Sequence, residues 1–249
     1  MCLGELLAVL SGKGGTGKTS VCAALACALA EDGKKVLCID CDVGLRNLDI
    51  ALGLSAYEAL SFQDVCTGGY TLEEALPHPV FGTLRFLTAP ISCTAADVDG
   101  GSFQKLLHQA RQSFDYVFLD APAGIEAGFS LAARFADRIL LVTGPDPAAV
   151  RDAARAGQVL ETMGKTSVRL IVNRITRKIG SRLHTTVDDI MDTAGLPLIG
   201  VVPEDPQVTL AAARGRPLIT SSRKGAAAAC RRIACRLQGI PQPIPRRGF

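Results

Sequence analysis

The sequence has no long apolar run. Its clearest hydrophobic stretches, Leu6-Leu7-Ala8-Val9-Leu10 and Ile139-Leu140-Leu141-Val142, are far shorter than the roughly 18 apolar residues of a membrane-spanning helix. No basic region followed by an apolar stretch and a small-residue cleavage site opens the chain, so export through a leader is not expected. Histidine is scarce: His78, His108 and His184 are dispersed and form no metal-ligand spacing. The nine cysteines are an odd number scattered along the chain, which suits a reducing cytosol better than a disulfide framework. Cys38 and Cys41 form a CxxC pair, but no second Cys/His pair stands at the spacing needed to complete four zinc ligands. A formal net charge of +3 is too small an excess to imply nucleic-acid binding by itself. Internal repeats and low-complexity tracts are also missing.

What remains is a folded, cytoplasmic α/β chain. With 48% hydrophobic and 20% charged residues over 249 positions, it has the material for one substantial core. Apolar runs of strand length recur at 6–10, 35–39, 84–88, 116–119, 138–142, 169–172 and 197–202, each bounded by Gly, Pro or Asp. Helix-length stretches lie between most of them, at 19–31, 103–112, 128–134, 148–163 and 185–194. This alternation predicts a single-domain, mostly parallel twisted sheet with helices on both faces. A last core helix is expected over 226–237, where Ala227, Cys230, Ile233 and Leu237 recur near helical period. The expected division is one α/β domain over 1–240 and an extended, exposed Pro-rich tail over 241–249.

One motif carries most of the chemistry. Gly12-Lys13-Gly14-Gly15-Thr16-Gly17-Lys18-Thr19 satisfies GxxxxGK[ST] and lies between an apolar run and a predicted helix, the context that gives the pattern its meaning. Its glycines allow a tight turn whose N–H groups converge on phosphate, and the helix that follows aims its positive end at the same anion. Lys18 is expected to contact the β- and γ-phosphates, and the Thr19 hydroxyl to ligate Mg2+. The reading is a P-loop ATPase with ATP and Mg2+ as its small-molecule partners.

Carboxylates follow two other apolar runs. Asp120 ends Tyr116-Val117-Phe118-Leu119 as a Walker-B residue should, to hold Mg2+ directly or through water; a plain capping role is the alternative. Asp40 and Asp42 follow the run at 35–39, and parallel sheets bind ligands at the carboxyl ends of their strands. Period-two alternation would point both the same way, one toward magnesium and one toward the attacking water, unless either is only a turn residue. Lys13 is a second lysine that an ordinary phosphate loop does not require. It is either a solvated charge or a group that neutralises charge developing during phosphoryl transfer.

Read in order, Lys13-Gly14-Gly15-Thr16-Gly17-Lys18-Thr19, Asp40-Cys41-Asp42-Val43-Gly44-Leu45-Arg46-Asn47-Leu48-Asp49, Asp120-Ala121-Pro122-Ala123-Gly124-Ile125-Glu126 and Val202-Pro203-Glu204-Asp205 resemble the MinD branch of the MinD/ParA deviant Walker-A ATPases. The resemblance implies that Lys13 is the signature lysine reaching across an ATP-bound homodimer, and that Asp42 positions the attacking water. It gives the Walker-B role to Asp120 and adenine reading to Asn173, and it places Pro203, Glu204 and Asp205 in the segment closing over the purine. Catalysis would then rest on Lys13, Lys18 and Asp42, and metal ligation on Thr19, Asp42 and Asp120. Arg46 to Asp49 would be nucleotide-sensitive, and Val150-Arg151-Asp152 would belong to a surface met by activating partners; a helix cap and solvated charges are the plainer reading of these two segments.

The implied function is septum positioning, in which the dimer recruits a division inhibitor to the membrane, answers to a topological regulator and is reset by hydrolysis. The family's basic amphipathic anchor begins as Arg246-Arg247-Gly248-Phe249 does, and four residues make no buried apolar face, so ATP-dependent peripheral membrane association is expected to be weak or absent in this sequence. Two alternatives stand beside this function. One is a flagellar-placement or other cargo-positioning ATPase. The other is a ParA-like DNA-partition ATPase binding DNA through Arg174, Arg177, Lys178 and Arg182 or through Arg214, Arg216, Arg223 and Lys224. Solvated faces are the preferred reading of those residues, and DNA is not an expected partner.

Overall fold

The computed structural model describes residues 3–43, 45–91, 95–176 and 186–244. Gly44, Arg177, Lys178, Arg182, His184, Thr185 and Arg246 to Phe249 lie outside the described residues.

The strands are β1 (Glu5–Leu10), β2 (Val36–Asp40), β3 (Leu76–Pro77), β4 (Leu84–Leu87), β5 (Tyr116–Asp120), β6 (Arg138–Thr143), β7 (Val168–Ile175) and β8 (Leu198–Pro203). They form one eight-stranded sheet in the order β3-β4-β2-β5-β1-β6-β7-β8. Every neighbouring pair is parallel except β3 with β4. The inner strands are buried along almost their whole length, as expected of a parallel sheet covered on both faces.

The helices are α1 (Lys18–Glu31), α2 (Leu48–Leu52), α3 (Phe62–Cys66), α4 (Gly100–Ser113), α5 (Ala127–Phe135), α6 (Pro147–Thr162), α7 (Val187–Ala194), α8 (Pro206–Ala213), α9 (Leu218–Ser221) and α10 (Gly225–Leu237). Alternation along each strand divides the core. Leu7 and Val9 of β1 face a cluster built with α1 and α10, whereas Leu6, Ala8 and Leu10 face one built with α4, α5 and α6. Cys38 packs in the first cluster and Cys41 in the second, so the CxxC thiols lie in different cores.

Helix α1 is buried on all sides because its Ala-rich sequence lets both the sheet and α10 approach closely. Helix α10 is the expected core helix. Its Arg236 guanidinium donates to the carbonyls of Ile199 (2.7 Å), Gln242 (3.1 Å) and Pro243 (2.8 Å). Residues 241–244 form no helix or strand, yet they are tied to β8 through this one side chain rather than hanging free.

Candidate functional site

β1 lies between β5 and β6, with β2 beyond β5. The carboxyl ends of these strands therefore open into one crevice, the place where open α/β sheets bind ligands. The phosphate loop leaves β1 there and passes directly into α1. Gly17 is the N-cap at φ 83°, with no side chain capping the helix end. A Cβ at Gly17 would also overlap the Asn173 side chain, so only glycine fits both the left-handed turn and the contact.

Two side chains from β7 grip the loop from outside. Asn173 Nδ2 donates to the Thr16 carbonyl at 2.8 Å and Arg174 Nη1 to the Gly15 carbonyl at 2.9 Å. On the other side the Ser11 hydroxyl donates to the Lys13 carbonyl at 3.0 Å, and the Gly124 N–H donates to the Ser11 carbonyl at 3.0 Å. The loop is thus shaped before any anion arrives.

At its floor Lys18 Nζ donates to Asp120 Oδ1 at 2.8 Å and to Thr19 Oγ1 at 3.2 Å. Lys18, Thr19 and Asp120, expected to act together, are together. Burial pushes the Asp120 carboxyl upward in pKa, and the adjacent ammonium opposes that rise.

Asp40 and Asp42 do not share one job. The strand ends at Asp40, so period-two alternation does not carry across to Asp42. Asp40 is buried and spends both oxygens on the backbone, accepting from Asp42 N–H at 2.8 Å and Leu48 N–H at 3.2 Å. Burial, with the charge of Asp120 added, pushes the Asp40 carboxyl up to about 7. Asp42 is half-buried, raised by burial and lowered by the charge of Lys18. Asp40 therefore shapes the loop that presents Asp42.

The expected partner-facing segments are partly structural. Arg46 has φ 47° and donates through Nε to Thr88 Oγ1 at 3.0 Å, while Leu48 is buried as the first residue of α2. On α6, Val150 is core, Arg151 is exposed and Asp152 is half-buried.

Lys13 stands apart from the floor. Its ammonium lies 3.5 Å from Asp146 Oδ1, and that carboxylate also caps α6 by accepting from Ala149 N–H at 3.0 Å. Sequence reasoning missed Asp146, since only the fold brings it beside the loop.

Asn173, Pro203, Glu204 and Asp205, expected on the purine side, line a cavity of about 220 Å³ together with Gly17, Val21 and Cys230 among others. Asp205 shapes this wall by serving two helices. Oδ1 accepts from Gln207 N–H at 2.9 Å and Oδ2 from Ala226 N–H at 3.0 Å. Glu204 is ion-paired with Arg174 at 2.7 Å, so Arg174 belongs to the site and not to a basic surface patch. A second cavity of about 430 Å³ lies on the outer side of the loop, beside Lys13, Gly15 and Asp146.

The donor set fits a magnesium nucleotide. The Thr16 hydroxyl is buried without a hydrogen-bond partner, the open end of α1 faces the loop, and Lys18, Thr19 and Asp120 meet at one point. Among the described residues no three His, Cys, Asp or Glu side chains are grouped to hold a metal alone. Magnesium suits such a place because it takes few protein ligands and fills its shell with phosphate oxygens and water.

A family model, that of the CobQ/CobB/MinD/ParA nucleotide binding domain, matches residues 7–218. The septum site-determining protein MinD of Synechocystis sp. is 38% identical over 246 residues, covering 98% of this chain and 92% of the relative. Among solved structures, the MinC:MinD cell division protein complex of Aquifex aeolicus superposes with a TM-score of 0.90 at 36% identity, over 98% of this chain and 100% of that one. Pyrococcus horikoshii MinD complexed with Mg-ADP gives a TM-score of 0.82 at 28% identity, over 94% and 96% of the two chains.

Proposed function

This chain belongs to the CobQ/CobB/MinD/ParA nucleotide-binding family and is a MinD-type cell-division ATP hydrolase within it, and from that premise we propose that ATP held in its phosphate loop pairs two copies and hydrolysis separates them. The observation that carries the reading is Lys18 Nζ within hydrogen-bond reach of both Thr19 Oγ1 and Asp120 Oδ1 at the open end of α1. A buried lysine held by a carboxylate is a cation ready for a stronger anion. Incoming phosphates take Lys18, aided by the N–H groups of the loop and the end of α1. Thr19 and Asp120, with Asp42 beside them, would hold Mg2+, which neutralises charge on the phosphates.

Asp42, presented by the loop that Asp40 fixes, orients the attacking water. Asn173 with Pro203, Glu204 and Asp205 receives the purine. Lys13 leaves Asp146 to meet the phosphates of the facing copy, a move favoured because its present ion pair is exposed and weak. The paired form recruits a division inhibitor and answers to a topological regulator at the membrane surface; in support, the Aquifex aeolicus MinD is held with MinC in a cell division protein complex. The flagellar-placement and DNA-partition alternatives are not favoured beside near-full-length similarity to MinD proteins.

The test is light scattering and phosphate release with Mg-ATP. Asp42→Ala is expected to bind ATP and pair normally while turnover falls about 10²- to 10⁴-fold, the usual contribution of a group managing the nucleophile's proton. A wild-type rate in this variant would remove Asp42 from the mechanism.

A further inference from the structure

Arg174 occupies a backbone conformation that arginine avoids. It has φ 63° in the last part of β7, in the left-handed region where a Cβ is crowded. Strain of this kind persists only where the surroundings hold the residue in place, and it concentrates at working sites. An exposed ion pair with Glu204 is too weak a return to explain it.

What holds Arg174 is a bridge. Nη1 donates to the Gly15 carbonyl at 2.9 Å, Nε donates to Glu204 Oε2 at 2.7 Å, and Nη2 faces Oε1 at 3.5 Å. Glu204 is itself fixed, since its N–H donates to the Ile175 carbonyl at 2.9 Å. Among the described residues, Arg174 and Glu204 are the ones that line both cavities of the site, so the pair stands as the partition between them.

Peptide geometry gives the bridge a purpose. In a trans peptide the C=O and the following N–H point in opposite directions, and no cis bond is present among the described residues. Drawing the Gly15 carbonyl toward Arg174 turns the Thr16 N–H away from it. Asn173 does the same to the next peptide, turning the Gly17 N–H. Two consecutive donors are thereby set in advance.

We propose that Arg174 is a positioning residue for the nucleotide: braced by Glu204, its guanidinium holds the Gly15–Thr16 peptide with the N–H turned toward the phosphates. This deepens the nucleotide reading of the site and rests on it.

Arg174→Gly separates side chain from backbone, because glycine adopts φ 63° without strain. Its Tm is expected to equal or exceed that of the wild type, while the Kd for Mg-ATP by calorimetry rises about tenfold, as loss of a hydrogen bond from a charged donor predicts. KM should rise by the same factor with kcat nearly unchanged, the signature of lost uniform binding. Arg174→Lys keeps the charge but not the fork and should also bind weakly. Glu204→Gln leaves Arg174 in place and should weaken binding about threefold through loss of the brace. An Arg174→Gly protein binding Mg-ATP within twofold of the wild type overturns the proposal, and so does full affinity in Arg174→Lys. Failure of the wild type to bind Mg-ATP is a different result, which sinks the nucleotide reading itself.

Discussion

The floor of the phosphate loop and the partition between the two cavities are held by ion pairs of opposite character. Lys18 and Asp120 are 6% and 1% exposed, whereas Arg174 and Glu204 are 53% and 42% exposed. In the first pair each charge depends on the other, because removing one leaves the other buried and unpaired. In the second, water can replace either partner, so the pair adds little to folding and is free to serve orientation. The same chemical device therefore sets a stability threshold at one end of the nucleotide site and a geometry at the other.

The comparison is sharpest at the floor. Lys18→Ala is expected to cost about 3–5 kcal/mol of unfolding free energy, since it strands the Asp120 carboxylate. Lys18→Ala with Asp120→Ala should cost less than Lys18→Ala alone. Urea melts of the three variants decide it; a single-variant loss below about 1 kcal/mol, the level of an exposed pair, would erase the contrast.

An intermediate effect is expected at Asp205, which shapes the wall of the 220 Å³ cavity by holding the N-terminal N–H groups of α8 and α10. Asp205→Ala should cost about 1–3 kcal/mol, the loss of two caps. Gly225→Ala should act through the same contact. A Cβ there meets the Asp205 carboxylate and must adopt φ 56°. Their double variant should be less destabilised than the sum, because Asp205→Ala removes the collision. Additive losses in thermal melts would show that the two act separately.

The smallest effect lies outside both walls, at His78. Its Nε2–H donates to the Leu52 carbonyl at 2.9 Å, and its Nδ1 accepts from the N–H groups of Val80 (3.1 Å) and Phe81 (3.2 Å), so the ring anchors the far end of α2. Burial holds its pKa below the ordinary value. The unfolded chain therefore takes up the proton first as pH falls. The stability contributed by neutral His78 is complete above about 6.5 and is lost as pH falls through that value toward the folded pKa. Denaturation between pH 8 and pH 5 should show this slope, and His78→Gln should flatten it. Equal slopes in the two proteins would show that His78 does not set the decline.

The long strands and helices were legible in the sequence because buried parallel strands read as short apolar runs and the helices between them keep their period. β3 was not, since two residues carry no pattern, and the same shortness hid α2, α3 and α9. Helix α8 leaves a signal in Asp205-Pro206, a capping residue followed by proline at the first helical position. At the site, Lys18, Thr19 and Asp120 were legible because each sits within a motif whose spacing enforces its place. That Asp40 gives both oxygens to the backbone, the turn-residue alternative, was not decidable from the residues alone, because period-two alternation holds only within a strand and this strand ends at Asp40. Arg174 looked like one more surface cation, because neither its left-handed backbone nor its hold on Gly15 leaves a mark in the order of residues.

Helix α1 is enclosed by the sheet and by α10 along almost its whole length. Moving it would drag core side chains with it, so the cradle cannot widen by swinging its own helix. Any adjustment of the site to what it holds therefore falls to its exposed side, where Pro203, Glu204 and Asp205 are half-buried or exposed at the end of β8.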